Sequence, residues 1–289
     1  MAVEELAAPP RLPALYGRAA AGLLPGRRRA GDQLPDRTLL LRGVRADPER
    51  LAGYARVCGF RLTDTLPGSY PQVLAFPLAL AVMTGPEFPF PAAGVVHLAN
   101  RIELHRPLPV GEPLELAVHA ERLRPHDRGR QVDVVAVASV AGAEVWRAVS
   151  TYLHQTGTGS GRGGPRADSP EPPAPVAIWR ISAGTGRAYA AVSGDRNPIH
   201  TSTLAARAFG FRRRIAHGMW TKARCLAQLG PRLPAAYQVA VTFHAPVLLP
   251  TAVGFSVRGP AGRPREFAVH DLRSGRRHLS GTLTPGAGG

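Results

Sequence analysis

A chain of 289 residues, 44% of them hydrophobic, can bury a sizeable core, and its length suits two domains. Its formal net charge of +16 rests almost wholly on arginine, Lys222 being the single lysine. Long basic tracts interleaved with aromatics are missing, so the charge reads as arginines spread over solvated faces, not as a nucleic-acid surface.

No run reaches the ~18–20 apolar residues of a membrane span. The N-terminus carries acidic Glu4 and Glu5 and no continuous apolar stretch, so a secretory signal is not expected. Cys58 and Cys225 have neither disulfide-framework nor metal spacing. A reducing, cytoplasmic setting is the expectation.

Residues 1–36 read as a Pro/Gly-rich basic leader containing Arg27-Arg28-Arg29, expected as a solvated tail. A first domain, 37–155, follows. Asp47-Pro48 can cap a helix running through Leu51, Tyr54, Ala55 and Val57 into Cys58-Gly59-Phe60. The apolar run Pro67 to Phe90 predicts a second helix, broken by Pro77 and Gly85. Strand-like alternation then appears near 95–106, 114–123, 132–140 and 145–154. Residues 156–175 contain Gly-Thr-Gly-Ser-Gly-Arg-Gly-Gly and Pro-Glu-Pro-Pro-Ala-Pro and read as a linker.

The second domain, 176–289, repeats the first. Ser182 can cap a helix through Tyr189, Ala190 and Val192 into Ser193-Gly194-Asp195, and cap, tyrosine, alanine, valine and glycine all recur at one offset. Ile102-Glu-Leu-His-Arg-Pro107 likewise echoes Val241-Thr-Phe-His-Ala-Pro246. A helix over Gly218–Leu229, with an apolar stripe of Met219, Ala223 and Leu226, stops at Gly230-Pro231, and strands follow near 238–247, 252–257, 266–271 and 277–284. Helix first, then strands at hairpin spacing, predicts an α+β fold with antiparallel sheet wrapped on a helix.

The chemistry is concentrated in Gly194-Asp195-Arg196-Asn197-Pro198-Ile199-His200 and Ala216-His217-Gly218-Met219. Asp195 and His200 can both move protons, and Pro198 forbids a regular helix between them. Asn197 is placed to orient them. Gly218 opens a helix whose free N–H groups can hold an oxyanion. An acid–base pair beside an N–H cradle suits proton transfer next to a carbonyl.

These segments, with Ala205-Ala206 and Gly210-Phe211, resemble the MaoC-like (R)-specific enoyl-CoA hydratases and 3-hydroxyacyl dehydratases, and the two-copy layout resembles their double-hotdog members. The resemblance implies two antiparallel sheets, each wrapped around a central helix. It implies Asp195 and His200 as the pair holding a water, Gly218 N–H as the thioester contact, and Asn197 and His217 in support. Met219, Trp220 and the cluster Arg212-Arg213-Arg214 are candidate substrate contacts, the cluster for the phosphates of coenzyme A or an acyl-carrier arm.

Neither metal nor organic cofactor is required, and a homodimer is compatible with the pattern. The remaining histidines, His97, His105 and His244 among them, read as structural. In the first half Phe60, Leu62 and Thr65 stand at the offset positions of Asp195, Asn197 and His200, so that half should serve stability and chain-length selection, with 67–90 lining an acyl tunnel. Two other readings stay open: a hotdog thioesterase, disfavoured because 218–229 contains no Asp or Glu, and a non-catalytic acyl-thioester-binding partner.

Overall fold

The structure, a computed structural model, describes residues 2–23, 33–156 and 174–286. The elements in chain order are β1 (Ala2–Glu5), α1 (Leu12–Ala21), β2 (Arg37–Val44), α2 (Pro48–Cys58), α3 (Tyr70–Thr84), β3 (Val96–Leu104), β4 (Leu114–His126), β5 (Gly129–Val140) and β6 (Ala143–Gln155). The second half follows with β7 (Ala177–Ile181), α4 (Thr185–Ser193), α5 (Pro198–Thr201), α6 (Thr203–Ala208), α7 (Gly218–Leu229), β8 (Tyr237–Phe243), β9 (Thr251–Arg258), β10 (Arg265–Asp271) and β11 (Arg277–Pro285).

The internal repeat is visible in the strand order. One half-sheet runs β2-β4-β5-β6-β3 and the other β8-β11-β10-β9-β7, so each is the mirror of its partner in the sheet. They meet where β3 pairs antiparallel with β8, from Ala99 opposite Thr242 to Leu104 opposite Tyr237, giving one continuous sheet with a central helix in each half. This is the double-hotdog arrangement.

Local chemistry explains the helix ends. The Asp47 carboxylate accepts a hydrogen bond from Arg50 N–H at the start of α2, and Gly59 ends that helix at φ 81°. Gly194 ends α4 in the same left-handed conformation, φ 82°. The expected Ser182 cap is not made: α4 begins after Gly184, and the Ser182 hydroxyl lies 3.2 Å from that of Thr185.

Helix α3 is apolar all round and buried, as the central helix of a wrapped sheet must be. It runs without interruption through Pro77, so the predicted break is absent and opens no tunnel there; Gly85 does end it. In α7, Ala223 and Leu226 are buried and Met219 half-buried, but burial extends to Trp220, Thr221, Lys222 and Cys225.

Residues 2–21 are not a detached leader. β1 adds a parallel edge strand to β2, and α1 packs against α3 with Leu15 buried. Arg27-Arg28-Arg29 and nearly all of the 156–175 linker lie outside the described residues.

Candidate active site

The link between α4 and α7 is a chain of local hydrogen bonds. The Ser193 hydroxyl accepts Asp195 N–H at 3.1 Å, and Asp195 Oδ1 accepts Asn197 N–H at 3.1 Å. Asn197 then caps α5 through its side-chain oxygen, which accepts Ile199 N–H at 3.4 Å. Pro198 sits at the first helical position, where its missing N–H is harmless. This turn chemistry brings His200 back against the start of α7.

His200 is buried, and its Nδ1–H donates to the Ile215 carbonyl at 2.8 Å, which leaves Nε2 as the acceptor. His217, the residue before α7, donates from Nε2 to the Asp195 carbonyl at 2.9 Å, while its Nδ1 is buried without a protein partner. The two imidazoles stack with centroids 3.7 Å apart, and the Tyr189 ring packs on His217 at 4.8 Å. Burial lowers the His200 pKa, with Asp195 opposing; burial and the neighbouring His200 push His217 down to about 3. Both rings are therefore neutral near neutral pH.

Ligand-type atoms of Asp195, His200 and His217 lie within 4.8 Å of one another. The two histidine rings are inclined by 27° to one another.

Gly218 opens α7, so its N–H belongs to the helix's unpaired first turn. A Cβ there would lie 3.0 Å from the Phe243 ring, so only glycine lets the backbone and this aromatic wall approach. The wall continues into the first half. A β-bulge between His97 and Ala99 turns His97 onto the inner face, where it stacks on Tyr152 at 4.6 Å and meets the tilted Phe243 ring at 4.9 Å. Its Nε2 has no protein partner, and burial, with Lys222 adding, lowers its pKa to about 4 against the opposing pull of Asp195. Strict strand alternation puts His97 on the outer face with Ala99 and Arg101; only the bulge reverses this, and no pattern in the sequence announces it.

Trp220 is buried. Its indole N–H donates to the Val57 carbonyl at 2.9 Å, and Arg224 reaches the Cys58 carbonyl at 3.4 Å, so both brace α7 against α2. Arg50 does the same for α4 through the Val192 carbonyl at 2.7 Å. Lys222 is fully buried beneath the β3–β8 seam, where it donates to the Asn100 carbonyl at 3.2 Å, the Asn100 side-chain oxygen and the Val239 carbonyl at 3.1 Å. Arg212 and Arg213, with Arg207 and Leu248, line a cavity of about 380 Å³; Arg214 is half-buried beside it and is not part of its lining.

The first half lacks more than the three side chains. Thr65 bridges Pro109, and Leu66 N–H donates to the Leu108 carbonyl, as Ile215 bridges Leu248 and Ala216 N–H donates to Val247. Thr65 thus matches Ile215, not His200. Gly59 reaches this point by a short link, whereas Gly194 reaches it through α5 and α6, so His200 has no counterpart. The counterpart of Gly218 is Gly68, whose surroundings are filled by the Tyr237 hydroxyl and by Trp146, the latter donating to Gly68 O at 2.7 Å.

A hotdog pair in which only the second half carries the Asp195, Asn197 and His200 side chains defines a class, and comparison with known proteins gives its family. Residues 169–264 match the model of the MaoC like domain. The chain is 42% identical over 269 residues to 3-hydroxyacyl-thioester dehydratase X of Mycobacterium tuberculosis, covering 92% of this chain and 95% of that one. The crystal structure of that organism's HtdX superposes with a TM-score of 0.78 at 38% identity, over 86% of this chain and all of the other. Two more distant structures share the fold: a MaoC-like dehydratase from Phytophthora capsici (TM-score 0.67, 18% identity, 87% and 96% coverage) and a double-hotdog protein of Mycobacterium tuberculosis (0.53, 14%, 84% and 92%). The chain belongs to the MaoC-like dehydratase family. No helix among the described residues is long and apolar enough to cross a membrane.

Proposed function

We propose that this protein catalyses the reversible hydration of trans-2-enoyl thioesters to (3R)-3-hydroxyacyl thioesters, or the reverse dehydration, in fatty-acid metabolism. The observation that carries the reading is His200: its Nδ1–H is fixed on Ile215, and a ring nitrogen lies within 4.8 Å of the Asp195 carboxylate. One water donating to both groups directs a lone pair at C3. The C3–O bond forms as one O–H bond breaks, and that proton reaches C2 through the pair on the same face of the alkene.

Charge that develops on the thioester oxygen meets the Gly218 N–H and the positive end of α7. Proton transfer of this kind contributes ~10²–10⁴-fold, and an oxyanion donor ~3–4 kcal/mol. Asn197 and His217 hold the loop, and Met219 and the Phe243 wall border the acyl space. A cytoplasmic setting and a coenzyme A or acyl-carrier thioester suit this chemistry. The thioesterase reading needs an acid on α7, whose buried polar side chains are Thr221 and Lys222.

Hydration of crotonyl-CoA, followed by loss of enoyl absorbance with chiral analysis of the product, tests the proposal. The same assay tests the arginine cavity. If Arg212 and Arg213 meet substrate phosphates, Arg212→Gln/Arg213→Gln should raise KM about tenfold, flatten the salt dependence of kcat/KM and leave kcat little changed. An unchanged KM and salt slope would return these arginines to the solvated surface.

A further inference from the structure

The N-terminal segment stands outside the internal repeat, yet it reaches the proton-transfer loop. From α1, the Tyr16 hydroxyl donates to the Gly194 carbonyl at 2.9 Å and accepts Arg196 N–H at 2.6 Å. Those two backbone groups flank Asp195 on either side. Leu12, one turn earlier, presses on Gly194, where a Cβ would come within 2.8 Å of its Cδ1.

Asp195's own bonds are already assigned: its N–H to Ser193, its carbonyl to His217, its Oδ1 to Asn197. Ser193 and His217 hold the two flanking peptide groups separately, and none of these bonds ties the two together. A single phenol oxygen does, because it donates and accepts at once; a phenylalanine ring does neither. Burial, with the charge of Asp195 adding, raises the Tyr16 pKa, so the hydroxyl keeps its proton. Without it, a carbonyl and an N–H in a left-handed turn lose their partner, and the loop is free to find others.

We propose that Tyr16 is a positioning residue for Asp195, and that the segment 2–21 is thereby part of the catalytic apparatus although it lies outside both hotdog units. This rests on Asp195 being a proton-moving group, as proposed above.

The test is steady-state kinetics of Tyr16→Phe in the full-length protein, with Asp195→Asn measured alongside on crotonyl-CoA. The expected result is a loss of about tenfold in kcat with KM within about twofold of wild type, since a shifted carboxylate weakens the transition state and not substrate binding. The ring is retained, so circular dichroism and the melting temperature should show a folded protein at assay temperature. A merely structural tyrosine would lower the melting temperature and leave kcat alone.

Leu12→Ala supplies a second reading: it loosens the same loop but keeps the hydroxyl, and its kcat should fall less than that of Tyr16→Phe. Wild-type kcat in Tyr16→Phe beside an inactive Asp195→Asn overturns the positioning role and leaves the proposed chemistry standing. Wild-type kcat in Asp195→Asn removes that chemistry and the positioning role with it.

Discussion

Asp195→Asn and His200→Gln should each lower turnover of crotonyl-CoA by at least ~10²-fold while the protein stays folded. Asn keeps the size of Asp195 and can still accept Asn197 N–H, so the turn survives and only the proton-accepting charge is lost. Gln at position 200 loses the basic Nε2 of an imidazole whose Nδ1–H donates to the Ile215 carbonyl. Because both groups grip one water, the double variant should be scarcely worse than either single one. Near wild-type turnover in either single variant would break the pair.

The next largest effect concerns the halves. Residues 176–289 expressed alone should fail to form a stable, active domain. Cutting the chain there strips β8 of its partner β3 and exposes an unpaired strand edge at the centre of the sheet. It also removes two of the three acceptors around the fully buried Lys222 amine, both supplied by Asn100. Burial already holds the Lys222 pKa well below its ordinary value, and losing these acceptors removes the hydrogen bonds that satisfy its amine in the core. Trp220, Arg224 and α4 lose their anchors on α2 at the same time. Size-exclusion chromatography and near-ultraviolet circular dichroism read the outcome; a soluble, fully active fragment would show that the first half is dispensable.

Much of this molecule was legible in the residues, for definable reasons. Strands announce themselves by alternation, and β3–β6 and β8–β11 fall where it predicts, within a few residues. The short strands β2 and β7 went unseen because one abuts the Pro/Gly-rich leader and the other the linker, and Arg37 to Val44 carries three leucines in a row with no alternation. Asp47 and both left-handed glycines, 59 and 194, are local features that need no tertiary context.

The site divides in the same way. Asp195, Asn197 and His200 sit on one short segment whose own hydrogen bonds shape it, so spacing was enough to gather them. Tyr16 reaches them across 178 positions, and His97 through a bulge, and neither carries a mark in its own neighbourhood. Pro77 misled because the intrinsic cost of a helical proline is outweighed when the helix is buried on every side. Aligning Thr65 with His200 failed because a constant offset cannot register the extra α5–α6 link.

The proposed reaction delivers both water and proton to one face of the alkene. The absolute configuration of 3-hydroxybutyryl-CoA formed from crotonyl-CoA tests this, with Asp195→Asn as the control for background hydration. The expected product is the R isomer, formed by the wild type and lost in Asp195→Asn. An S product, or an R product formed equally well by Asp195→Asn, would contradict it.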